Sequence, residues 1–107
     1  MQRIGFRLQL KMELMDEYVE HHKDVWPEMR KALSDTGWTN YSIFLDRNDG
    51  TLFGYLETED FDSAREQMLV REINAKWQAA MAGFFEDLEG GAPDEGLAEL
   101  EQIFFLA

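Results

Sequence analysis

The chain has 107 residues, 45% of them apolar, with 22 acidic and 10 basic side chains and a formal charge of −12. This length suits one domain with one core, expected to span residues 1–107, and the apolar fraction lies above the disordered range. The acidic surplus repels phosphate backbones, the absence of cysteine removes disulfides, thiolate metal sites and a cysteine nucleophile, and no apolar run approaches a membrane span.

Residues 3–11, "RIGFRLQLK", alternate. Ile4, Phe6, Leu8 and Leu10 face one way, and Arg3, Gly5, Arg7, Gln9 and Lys11 the other, which predicts a half-buried strand. The same alternation is unlike the apolar stretch of a signal peptide, so a cytoplasmic protein is expected. From about Glu13 to Thr36 the period becomes helical, with Leu14, Tyr18 and His22 on one row and Met15, Val19, Met29 and Leu33 beside it. Pro27 either kinks this helix or opens a second segment behind Asp24, and Gly37 ends it. "TNYSIFLD" (39–46) alternates again, "RNDGT" reads as a hairpin turn and "LFGYLETE" (52–59) as the return strand. Asp60 or Asp62 can cap the next helix. That helix is expected to reach about Phe85 with a break near Leu69, its apolar stripe made by Ile73, Trp77, Met81 and Phe84. "EGGAPDEG" (89–96) is loop-like, and "EQIFFL" (101–106) reads as a final strand. From Glu86 to Ala107 there are seven acidic residues and no Lys or Arg, as on a solvated face.

The order β-α-β-β-α-β predicts an α+β, ferredoxin-like fold, an antiparallel sheet with both helices on one face. The other face is expected to carry Tyr41, Ile43, Leu45 and Phe53 or Leu52, with aromatic residues of the last strand. That is more apolar surface than a lone small chain can cover. Pairing two such sheets gives a homodimer, a dimeric α+β barrel. Arg7 and Gln9 among the apolar positions suggest that this second face lines a small cavity.

Tyr18 and His22, four apart, share a helix face, and Trp26 extends the row. His22 can exchange a proton near neutral pH and Tyr18 can bond a hydroxyl. With Tyr41 from a strand and Trp77 from the second helix, they suit a neutral, polyhydroxylated ligand: aromatic faces pack on its C–H side, and hydroxyl and imidazole groups meet its polar edge. Each also has an ordinary reading, Tyr18 as a core residue with a wet hydroxyl and Trp26, Trp38 and Trp77 as core or interface. His21 diverges from His22 by about 100°, so the two do not share an ion, and no H-E-x-x-H pattern occurs; no metal site is expected.

The segments "EYVEHHKDVWPEM", "NYSIFLD", "LFGYLETED" and "LEQIFFL" resemble the L-rhamnose mutarotase family. The signature is Tyr18-x3-His22-x3-Trp26-Pro27-Glu28, then Asn40-Tyr41-Ser42-Ile43, the Leu52-Phe53 strand and a Trp in the second helix, in order over nearly the whole chain. The resemblance implies a dimeric α+β barrel and an isomerase that interconverts the α and β anomers of a deoxy sugar. In that family the position matching His22 is the proton donor. Those matching Tyr18 and Tyr41 bind sugar, as do two adjacent tryptophans on the second helix. Trp77 matches the first; Gln78 stands at the second, implying a pocket that tolerates a hydroxyl in place of the 6-methyl group. Ring opening needs an acid and a base but no cofactor. Tyr41, a second-shell carboxylate or water could be the base beside His22. The same fold could instead carry a cofactor-free monooxygenase or a non-catalytic small-molecule-binding module.

Overall fold

A computed structural model describes residues 1–86 and 97–107. The elements are β1 (Gln2–Gln9), a 3₁₀ turn (Met12–Leu14), α1 (Met15–Lys23), α2 (Pro27–Asp35), β2 (Thr39–Asp46), β3 (Thr51–Thr58), α3 (Phe61–Leu69), α4 (Glu72–Met81), a second 3₁₀ turn (Ala82–Phe84) and β4 (Ala98–Leu100). The strands form one antiparallel sheet in the order β2-β3-β1-β4, the ferredoxin-like arrangement read from the pattern.

Each helix break has a local cause. Pro27 occupies the first turn of α2, where its missing N–H costs nothing. The chain turns at Trp26, not at Asp24, to enter it. Gly37, at φ +93°, closes α2, and Trp38 N–H then donates to the Leu33 carbonyl at 3.0 Å. Of the two candidate caps for α3, Asp60 serves, its carboxylate accepting from Ser63 N–H at 3.2 Å. The β2–β3 loop closes on Gly50, at φ +78°, where a Cβ would sit 2.9 Å from the Leu10 carbonyl.

The core lies between sheet and helices. Phe6, Leu52 and Leu56 from the strands and Leu10 just after β1 meet Tyr18, Met29, Ala32, Phe61, Ala64, Met68, Trp77 and Met81 from the helices. Phe6 pairs with Gly54 across β1 and β3, and its ring lies where a Gly54 Cβ would be.

Three expectations need correction. Tyr41, Ile43 and Leu45 do not lie on the open face. Thr39 pairs with Glu57 but Ser42 with Tyr55, so β2 carries one extra residue. Asn40 takes it up at φ +47°. One extra residue inverts the parity of all that follow. Tyr41, Ile43 and Leu45 turn toward the helices, and the exposed Phe44 and Phe53 share the outer face. Leu52 likewise faces inward, 2% exposed. Second, Gln9 does not line a cavity on the outer face: its side-chain amide donates to the Asp49 carbonyl and accepts from the Thr51 hydroxyl, holding the hairpin loop. Third, the paired part of the last strand is Ala98–Leu100, not 101–106. Beyond Leu100 the chain joins no ladder, and Ile103, Phe104 and Leu106 are largely exposed. β1 continues to Gln2 beyond the Gly5–Leu100 pair, yet its Gln2–Ile4 edge forms no ladder with this segment. Arg3 of β1 reaches this segment, its guanidinium 3.6 Å from the Phe105 ring centre. The loop read at 89–96 lies outside the described residues.

Candidate active site

A cavity of about 370 Å³ opens between the inner face of the sheet and the helices, within the range of small-molecule sites. Tyr18, His22, Tyr41, Trp77 and Gln78 all line it, although they come from α1, β2 and α4. Phe6, Leu8 and Ile43 from the sheet and Met29, Leu33, Met68 and Met81 from the helices supply apolar wall. Trp38 closes the wall beside Tyr41, with ring centres 5.3 Å apart. Its indole N–H donates to the Ala64 carbonyl at 3.3 Å. Among the described residues, no Asp or Glu lines the cavity.

The i, i+4 spacing on α1 brings the Tyr18 and His22 rings into a stack, centres 4.1 Å apart. Phe84 and Phe85 pack edge-on against Tyr18, centres 5.8 and 5.5 Å away. Trp77 meets the His22 ring edge to face at 5.5 Å. Trp26 backs Trp77 at 5.0 Å; it thus supports the wall from behind instead of lining the cavity. His21 turns away, against Phe84 at 5.4 Å.

His22 Nδ1 lies 3.0 Å from the Tyr18 carbonyl oxygen. A carbonyl only accepts, so Nδ1 carries the hydrogen, and in the neutral ring Nε2 is left with a lone pair. Burial pushes the imidazole below the ordinary histidine range; the Tyr18 carbonyl opposes this and the neighbouring His21 adds to it. His22 is therefore neutral at pH 7 and ready to accept a proton at Nε2. Burial, and secondarily Tyr41, hold the Tyr18 hydroxyl well above the usual phenol range, so it remains a neutral hydrogen-bond donor.

Two polar lining residues escaped sequence reasoning, Arg30 on α2 and Asn74 on α4. Arg30 follows Met29 in the helical pattern and carries no signal of its own. Asn74 does: positions 74, 77, 78 and 81 form one helical row, and a polar residue inside a Trp–Met stripe is anomalous. Its side chain is buried, and its carbonyl accepts from Gln78 Nε2 at 3.1 Å. Among the described residues no group of three or more His, Cys, Asp or Glu could hold a metal ion, and no helix is long and apolar enough to cross a membrane.

Comparison with known proteins bears on this site. A family model described as L-rhamnose mutarotase matches residues 3–106. An L-rhamnose mutarotase of Oceanobacillus iheyensis is 43% identical over 106 residues, covering 99% of each chain. One from Listeria monocytogenes is 36% identical over 107 residues and 100% of each. The crystal structure of an L-rhamnose mutarotase from Formosa agariphila superposes with a TM-score of 0.81 over 100% of both chains, at 28% identity.

Proposed function

The chain belongs to the L-rhamnose mutarotase family, and from that premise we propose that it is an isomerase interconverting the α and β anomers of L-rhamnose or a related 6-deoxy sugar. The observation that carries this reading is the meeting of His22, Tyr18, Tyr41, Trp77 and Gln78 around one cavity. Anomer exchange breaks the bond between C1 and the ring oxygen. The anomeric hydroxyl loses a proton, C1 becomes an aldehyde, and the ring oxygen gains a proton. Rotation of the aldehyde and reclosure give the other anomer.

His22 is the proton-transfer group. In its neutral form Nε2 takes the anomeric proton; as imidazolium it donates to the ring oxygen, which lies on the same carbon. It thus serves as the donor expected of it and, in the preceding half-step, as the base. General acid–base catalysis of this kind contributes about 10²–10⁴-fold. Tyr18 and Tyr41 hold sugar hydroxyls, Trp77 packs on a C–H face, and Gln78 offers both a donor and an acceptor. NMR saturation transfer between anomeric protons of L-rhamnose, L-fucose and related sugars tests the assignment. Exchange faster than in buffer is expected, and no acceleration for any deoxyhexose would overturn it.

Gln78 sets the breadth of the pocket. Gln78→Trp should raise the preference for L-rhamnose over L-mannose, which carries a hydroxyl at C6, by roughly 10-fold or more, the usual size of one apolar contact. An unchanged ratio of kcat/KM for the two sugars would show that Gln78 does not touch the C6 substituent.

The enzyme works as a cytoplasmic homodimer paired through the outer face of the sheet. Phe44 and Phe53 are 64% and 44% exposed on that face. The unpaired Ile103, Phe104 and Leu106 extend the apolar surface that a second subunit would cover. Sedimentation at micromolar concentration should show a dimer, and Phe44→Asp should shift it toward monomer. A monomeric wild-type protein would remove this part of the reading.

A further inference from the structure

Asn74 sits on α4 one turn before Gln78, with only 4% of its surface exposed. An amide at that depth gives up its water and must recover hydrogen bonds inside the protein. A leucine would occupy the same wall, beside Trp77 and Met81, without that demand, so packing does not account for an asparagine. The side-chain carbonyl of Asn74 accepts from Gln78 Nε2 at 3.1 Å, and both residues line the cavity with His22. A glutamine at a cavity wall otherwise samples several rotamers, all but one of which are lost when a ligand binds. Anchoring it to a buried amide removes that freedom in advance, which is how preorganisation gains affinity.

We propose that Asn74 is a positioning residue that holds the Gln78 amide in one orientation, so that the Asn74–Gln78 pair forms a preset hydrogen-bonding edge for a ring hydroxyl of the bound pyranose next to its C6 substituent, one that L-rhamnose carries. The pair is a specificity device: a sugar hydroxyl can meet its donor and acceptor together, and a sugar lacking that hydroxyl leaves it unmatched. The inference rests on the reading of this cavity as a sugar site and deepens it.

The test is a double-mutant cycle on the full chain, with Asn74→Leu, Gln78→Leu and the double variant. L-rhamnose affinity is followed by tryptophan fluorescence, and kcat and KM by saturation transfer. Each single substitution should weaken binding about 10-fold, the worth of one hydrogen bond, with kcat nearly unchanged. The double variant should bind no more weakly than either single one, because Asn74 acts through Gln78. Additive losses, or an Asn74→Leu protein that binds like wild type, would overturn the proposal. Thermal unfolding separates these results from misfolding; where Asn74→Leu does not fold, Asn74→Ala, whose missing atoms open onto the cavity, takes its place. Wild-type protein that binds sugar without accelerating exchange would sink the mutarotase reading alone. The affinity cycle would still decide the role of the amide pair.

Discussion

Replacing His22 by Asn should lower kcat for L-rhamnose by about 100-fold or more, whereas His21→Asn should leave it near wild type. Asparagine keeps a donor close to the Tyr18 carbonyl but has no group that exchanges a proton at neutral pH. His21 packs on Phe84, outside the cavity, so its loss touches no step of the reaction. The pH profile sharpens the expectation. Burial lowers the pKa of His22, so the neutral form that accepts the anomeric proton persists below the ordinary histidine value of 6.5. The profile of kcat/KM reports the free enzyme. It should stay level from neutral into mildly acidic solution and fall only as the pH drops through the lowered pKa. The limb should vanish in His22→Asn. A kcat/KM that climbs on acidification would mean that the imidazolium is the resting catalyst. Equal losses from the two histidine substitutions would remove His22 from the chemistry.

Gly54→Ala should destabilise the fold by about 2–3 kcal/mol, the cost of overpacking a filled core. For a chain of this size that is a drop in Tm on the order of 10 °C or more. Gly54 stands directly across from Phe6 on the neighbouring strand, and an added Cβ would collide with the Phe6 ring. The ring is hemmed in except on the side of the cavity it lines. Phe6 is 3% exposed, packed with Leu56 and Phe61, and its centre lies 6.2 Å from that of Tyr41. Any shift presses it toward the cavity it lines, so KM for the sugar should rise along with the loss of stability. Thermal unfolding and saturation-transfer kinetics on the same sample check both. An unchanged Tm would mean that the Phe6 ring does not depend on the space above Gly54.

What the sequence determined by itself is what short-range periodicity can carry. The alternation in β1, β2 and β3, the helical rows of α1 and α4, Pro27 opening α2 and Gly37 closing it all follow from the backbone preferences and face periods of neighbouring residues. The element order β-α-β-β-α-β then leaves few sheet topologies open. The Tyr18–His22 pair belongs here too, because residues four apart on a helix meet whatever surrounds the helix. The face to which β2 presents its side chains was decided only in the tertiary structure. An alternating strand reads the same in either orientation, and the extra residue at Asn40 exists only relative to β3, against which the register is counted. That one residue moves Tyr41 from the open face into the cavity. The end of the last strand was decided the same way: "EQIFFL" has strand-like alternation, but among the described residues β4 pairs with β1 only at Gly5–Arg7. Trp77 comes within reach of His22, and Asn74 lines the same cavity, because α1 and α4 pack on the same side of the sheet. No local pattern carries a contact between residues more than fifty positions apart; it arises from burying both apolar stripes in one core.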